Sequence, residues 1–107
     1  MSKARNGYII VGEIGCMYHM TLRYDRMYLQ NYEEVCHYKN GFAKVRNGKH
    51  WWHINSNGEK IYTTAFDEIT NFKKVGTSAA VARAILNNID YRIVYYSGGK
   101  CIVERVV

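Results

Sequence analysis

Proline is missing from all 107 residues of this chain. Its reversals must therefore be made by glycine and asparagine, which tolerate the left-handed backbone conformations that turns require. Cysteine is scarce. Three thiols (Cys16, Cys36 and Cys101) are odd in number and too few for a disulfide framework, which points to a reducing compartment, the cytoplasm. Long apolar runs are lacking as well. Met1-Ser2-Lys3-Ala4-Arg5 leads only into a short apolar stretch, so neither a secretory leader nor a membrane span is expected. Acidic residues are the minority: nine Asp and Glu stand against 15 Lys and Arg, a net charge of +6. That balance favours acidic partners, namely nucleic acid or an anionic protein surface, and less readily lipid. At this length a single domain over 1–107 can build a modest core without staples.

What the chain has in plenty is repetition. Residues 6–39 align with 40–73 without a gap, at a period of about 34 residues. Asn6-Gly7-Tyr8 meets Asn40-Gly41-Phe42, Val11 meets Val45, His19 meets His53, and Tyr28 meets Tyr62. Tyr32-Glu33-Glu34-Val35 meets Phe66-Asp67-Glu68-Ile69, and Tyr38-Lys39 meets Phe72-Lys73. Aromatic falls on aromatic, acid on acid and base on base. Such a period means one supersecondary unit used repeatedly, each copy burying its neighbour's apolar face, and it suggests a binding scaffold before an enzyme.

A worn third copy occupies 74–103. Ser97-Gly98-Gly99-Lys100-Cys101-Ile102 lies on Ser56-Asn57-Gly58-Glu59-Lys60-Ile61. Ala79 and Val81 stand for Ala43 and Val45 if a few residues are inserted, the expected place being Ile85-Leu86-Asn87-Asn88. Ala79 to Leu86 could instead form a helix capped by Ser78. Strand is preferred, because Tyr91 to Tyr96 beyond it is strongly strand-forming and needs a neighbour.

Within the middle copy, Gly41 to Val45, Lys49 to Asn55 and Glu59 to Thr63 read as three short strands, separated by Asn47-Gly48 and Ser56-Asn57-Gly58 turns. The expectation is an all-β protein of antiparallel meander or hairpin repeats, two clear units and one degenerate, with about eight to ten strands. The units would pair edge to edge or wrap into a barrel-like shape.

The middle copy resembles the WG β-repeat of bacterial proteins. Tyr38, Gly41, Ala43, Val45, Asn47-Gly48-Lys49, Trp51, Ile54-Asn55, Gly58, Ile61 and Phe66-Asp67-Glu68-Ile69 fill that pattern's slots. His50 is an extra residue before the tryptophan, and Trp52 stands where the family has its glycine; Tyr24 replaces Gly58 in the first copy. The resemblance implies repeated β-hairpins and a binding role, with no catalytic residue to carry over.

Strand alternation assigns faces. His50, Trp52 and Ile54, with Cys16, Tyr18 and Met20, form the more apolar set and are expected in the core. Ala43, Val45, Ile9, Val11, Ile61 and Met27 join them. The outer surface then collects Tyr8, Tyr28, Phe42, Trp51, His53 and Tyr62 among Arg26, Lys44, Arg46, Lys49 and Lys60, with Ile10 beside them. Exposed rings interleaved with cations anchor protein interfaces, and they also stack bases and meet phosphates. The competing reading packs some of these rings against a neighbouring unit as a second small core.

Catalytic and metal chemistry finds little footing. His50 and His53 fall on opposite faces of one strand, and strand geometry likewise splits Cys16 from His19. Cys16, His19, Cys36 and His37 could be written as a zinc site, but buried cysteines filling apolar space are the plainer reading. No Gly-x-Ser-x-Gly turn is present, and Ser97-Gly98-Gly99-Lys100 lacks the spacing of a phosphate loop. No cofactor or metal is expected. Ten tyrosines exceed what such a core uses, which favours an interface.

The sequence thus predicts a non-catalytic module that engages a protein or ribonucleoprotein partner. A small phage or mobile-element inhibitor of a host nuclease fits that size and charge. The alternative is a single-stranded nucleic-acid-binding protein. An unclosed edge, Tyr91 to Tyr96 or Cys101 to Val107, could pair with its twin in a homodimer.

Overall fold

Each copy of the repeat folds around one antiparallel hairpin. β1 (Tyr8–Glu13) pairs with β2 (Cys16–Thr21), β4 (Ala43–Asn47) with β5 (His50–Ile54), and β8 (Ala79–Leu86) with β9 (Ile89–Tyr96). These elements come from a computed structural model that describes residues 7–13 and 15–106. Asn6, the Met1-to-Arg5 stretch and Val107, all used in the sequence reading, lie outside the described residues. The closing pairs are Glu13 with Cys16, Asn47 with His50 and Leu86 with Ile89, so the two-residue loop has the same length in all three units. Asn87 and Asn88 both take positive φ (53° and 64°), the conformation of the tight hairpin turn that asparagine tolerates.

Short strands hand the chain from one hairpin to the next. β3 (Glu34–Val35) lies along β4, while Tyr32 just before it bridges back to Met17 of β2. β6 (Glu68–Ile69) lies along β8, while Phe66 bridges back to Trp51 of β5. β7 (Lys73–Val75) also pairs with β8, and β10 (Cys101–Arg105) closes the far side of β9. Among the described residues every regular element is a strand, and no helix is long and apolar enough to cross a membrane. The fold is all-β, as expected, but the sheet path is open and does not close into a barrel.

The third unit is real, and Ala79 to Leu86 is strand. β9 offers a partner to all eight of its residues, and that outweighs the helix preference of alanine. The insertion lies elsewhere than expected. In the second unit Lys39 bridges Phe42, three residues on; in the third, Lys73 pairs with Val81, eight residues on. Five extra residues thus lie before β8, where they lengthen a single bridge into the β7–β8 hairpin, and two more lie in β9 between Ile93 and Tyr96. Ala82 and Ala84, not Ala79 and Val81, take the places of Ala43 and Val45 against Ile93 and the preceding connector. At the last turn the expected alignment stands: Tyr96 N–H bonds Lys100 O and Gly99 N–H bonds Tyr96 O, as Asn55 and Gly58 do in the middle unit.

Two cores result, and each is a seam between units. Tyr8, Tyr28 and Tyr32 of the first unit meet Ala43, Val45 and Ile54 of the second. Phe42, Tyr62 and Phe66 of the second meet Ala82, Ala84 and Ile93 of the third. One unit therefore sets its rings on the small-residue face of the next. The alanines are what leave room for those rings in an interior packed to crystal density.

This overturns the assignment of faces. Tyr8, Tyr28, Phe42, His53 and Tyr62, expected outside, are buried, as is Ile10. Cys16 and His50, expected inside, are exposed, and Val11, Tyr18, Met20, Met27, Trp52 and Ile61 are only half-buried. Ile9, Ala43, Val45 and Ile54 are interior as expected. The one-face rule fails because a stacked repeat covers its strands on both sides: His53 and Ile54, neighbours on opposite faces of β5, are 1% and 0% exposed.

Candidate functional site

The repeated polar element inside the fold is a histidine–tyrosine pair. In the first unit the Tyr28 oxygen accepts the His19 backbone N–H (3.2 Å) and the hydroxyl faces His19 Nδ1 at 2.6 Å. The second unit repeats this with His53 and Tyr62 at 3.1 and 2.6 Å. The remaining ring nitrogen of each, Nε2, meets a backbone carbonyl: Cys36 at 2.8 Å and Thr70 at 2.7 Å. A carbonyl can only accept, so Nε2 carries the proton and Nδ1 accepts from the phenol. Every polar atom of the neutral histidine is thereby used. Burial holds both imidazoles down to about 4 and pushes both phenols well above their ordinary value. With both nitrogens engaged, His19 is a core histidine and not a metal ligand. Among the described residues no three metal-binding side chains converge.

The cations of the expected gripping set divide into two groups. Arg26 lies over the Tyr18 ring at 3.8 Å and donates to the Tyr28, Leu29 and Gln30 carbonyls and to Asn31 Oδ1. It is spent on organising its own loop. Arg46 donates to Glu34 Oε1 at 3.0 Å and to Glu33 Oε2 at 3.1 Å, and is neutralised by them. The lysines are different: among the described residues none of Lys44, Lys49 and Lys60 has a carboxylate partner. Lys60 rests over Trp52 at 3.8 Å, repeating the Arg26–Tyr18 contact one unit on. Trp52 itself packs against both cores, so the residue that departs from the WG pattern straddles two unit seams.

One place brings unpaired cations together. A cleft of about 370 Å³ at the first seam is lined by Cys36, His37, Tyr38, Lys39, Lys44 and Asn71, with no carboxylate in its wall. Lys44 also lies 5.7 Å from the half-buried Trp51 ring, so an aromatic surface adjoins the cationic one. The thiol of Cys36 is pushed up by burial, which keeps it a neutral wall atom. Of the expected set only Lys44 lines the site, with Trp51 beside it; the five buried residues, Arg26, Arg46, Lys49 and Lys60 lie outside it. His37, Lys39 and Asn71 were missed, although the base-on-base match of Lys39 with Lys73 was a signal of them. The site gathers two ammonium groups, an imidazole and an amide around a small concavity, while the Tyr38 hydroxyl is spent on the Asn55 carbonyl.

Compared with protein-family models, with curated proteins and with solved structures, the chain matches none of them.

Proposed function

We propose that this protein is a non-catalytic binding module for an acidic macromolecular surface, a protein or ribonucleoprotein whose carboxylates or phosphates enter the Lys39–Lys44 notch. The observation that carries this reading is the notch itself, two lysines in one concavity with no acid in its wall and no carboxylate partner among the described residues. Unpaired like charges held in one concavity oppose folding, and a partner's anions relieve the repulsion. The net charge of +6 would speed the encounter, and the resemblance to WG β-repeats implies the same binding role. The cysteines are all free, in keeping with a reducing cytoplasm. A small antagonist of a nuclease would be one module of this kind, and an edge-to-edge homodimer through β10 is compatible with it.

The test is affinity capture from the native host, with and without nuclease, using the wild-type chain and the Lys39→Ala/Lys44→Ala double variant. The expected result is one stoichiometric protein that survives nuclease and is lost with the double variant. Retention of the same partner by the variant would remove the notch from the reading.

A second reading, direct binding of single-stranded nucleic acid, is favoured by the Lys44–Trp51 adjacency, since a ring beside a cation is the unit that stacks a base and meets its phosphate. It requires affinity that falls steeply with salt and a loss of about 1–3 kcal/mol on Trp51→Ala.

A further inference from the structure

A cleft of about 530 Å³ lies at the second seam, lined in part by the five-residue expansion of the third unit. Strand register explains its shape. Lys74 of β7 stands opposite Ala80 of β8, and Ala80 stands opposite Tyr95 of β9. One cross-strand row therefore reads Lys, Ala, Tyr. The two flanking side chains rise about 10 Å apart, two strand spacings, and the small alanine leaves a trough between them. In the next row of the same face Ala82 and Ile93 are sealed by the core, so the trough ends there.

The walls have a consistent chemistry. Phe42 and Tyr95 meet edge to face, with ring centroids 4.7 Å apart, and form the apolar end. Thr77 and Ser78 from the β7–β8 turn and Ser97 from the β9–β10 turn add hydroxyls, and the Ser97 N–H bonds the Ser78 carbonyl at 2.9 Å to hold the two turns together. Asn40 donates to the Phe72 carbonyl at 2.6 Å, which fixes its amide at the rim. Lys74 has no carboxylate partner among the described residues, and no acid lines the cleft. A cation on one side, two rings on the other and three hydroxyl residues at the turns are the complement of a planar ring joined to a compact anion.

We infer that this trough binds a phosphorylated ring compound, a nucleoside monophosphate or the equivalent end group of a nucleic-acid strand. Its base lies along Tyr95, and its phosphoryl oxygens accept from Lys74 and the turn hydroxyls. This site shares no residue with the Lys39–Lys44 notch, so either can fail alone.

The experiment is an amide chemical-shift titration of the full chain with adenosine monophosphate, adenosine, inorganic phosphate and a 5′-phosphorylated tetranucleotide. Saturable shifts confined to residues 40–42, 74–80 and 95–97 are expected, with the monophosphate at least about tenfold tighter than adenosine, the gain of one charge-assisted contact. Lys74→Ala, at an exposed position, should erase that preference and leave adenosine binding unchanged. Ala80→Leu should fill the trough and abolish both. Tighter binding of the tetranucleotide than of the monophosphate would assign the source to a strand end, and the reverse to a free nucleotide; either supports the site. The inference is overturned if no ligand moves those amides at millimolar concentration, or if Lys74→Ala leaves the monophosphate preference intact.

Discussion

The Tyr62 oxygen takes the backbone N–H of His53 at 3.1 Å and returns its own proton to the imidazole of the same residue at 2.6 Å. Tyr28 and His19 do the same 34 residues earlier. The pair pins the second strand of each of these two hairpins to the segment that follows it, and its geometry is that of a neutral histidine. A second proton on the ring would turn Nδ1 into a donor, so the phenol would have to accept it and swing its own proton away from its partner.

Stability should therefore fall in mild acid. Each folded-state imidazole titrates at about 4, against an ordinary value of 6.5 in the unfolded chain. Between those values the unfolded state binds protons that the folded state refuses. The contribution is complete above about pH 6.5, is lost as pH drops toward 4, and changes little below that. The loss approaches about 1.4 kcal/mol per pH unit for each histidine, hence about 3 kcal/mol apiece over the window. Urea midpoints measured from pH 7.5 to 4 check this. His19→Gln/His53→Gln should flatten the profile, and an unchanged slope in that variant would place the acid sensitivity elsewhere.

Removing one phenol oxygen should cost more than its size suggests. Tyr62→Phe keeps the ring in the core but leaves His53 N–H and Nδ1 buried without partners, a loss of about 1–3 kcal/mol by denaturant unfolding. Tyr28→Phe should behave alike. Equal losses would show that the two units are energetically, as well as geometrically, equivalent.

Gly58 and Tyr24 occupy the same place in successive units, at φ +79° and +68°, yet they should respond oppositely. A Cβ on Gly58 would overlap the Tyr28 Cβ of the preceding unit, so Gly58→Ala should destabilise by about 2–4 kcal/mol. Tyr24 is 70% exposed, and Tyr24→Gly should relieve a left-handed backbone and raise stability by up to about 1 kcal/mol. Thermal melts of the two variants suffice, and a stable Gly58→Ala protein would contradict the seam packing.

The three thiols should react in order. Cys16 is exposed, whereas Cys36 and Cys101 are partly covered and their thiols are pushed up by burial. Iodoacetamide under native conditions, followed by mass spectrometry, should label Cys16 first and the other two only slowly. Simultaneous labelling would show that the seams open readily.

Much of this fold is written locally. The match of His19 with His53 and of Tyr28 with Tyr62 is visible in the chain, but that each His bonds its Tyr inside the fold, and that Asn87-Asn88 is a hairpin turn, came only with the structure. The candidate notch was legible only in part: Lys44 stands in it and Trp51 beside it, but Lys39 and His37 arrive from the preceding unit across a seam that strand periodicity does not describe. The insertion was misplaced for a related reason. Ile85 to Asn88 looks irregular in the sequence, but only pairing along β8 shows that Lys73 reaches Val81.

The sequence alone decided that the chain repeats, that the repeat is a hairpin, and that its rings, acids and bases recur in step, because period and alternation are properties of the backbone. Which face of each strand is wet was decided only in three dimensions. Alternation separates the two sides of a strand, but it cannot say that one side meets the unit before and the other the unit after. Stacking covers both, so Phe42 and Tyr62 became interior while His50 was left in solvent, and the binding surface moved from the faces to the seams.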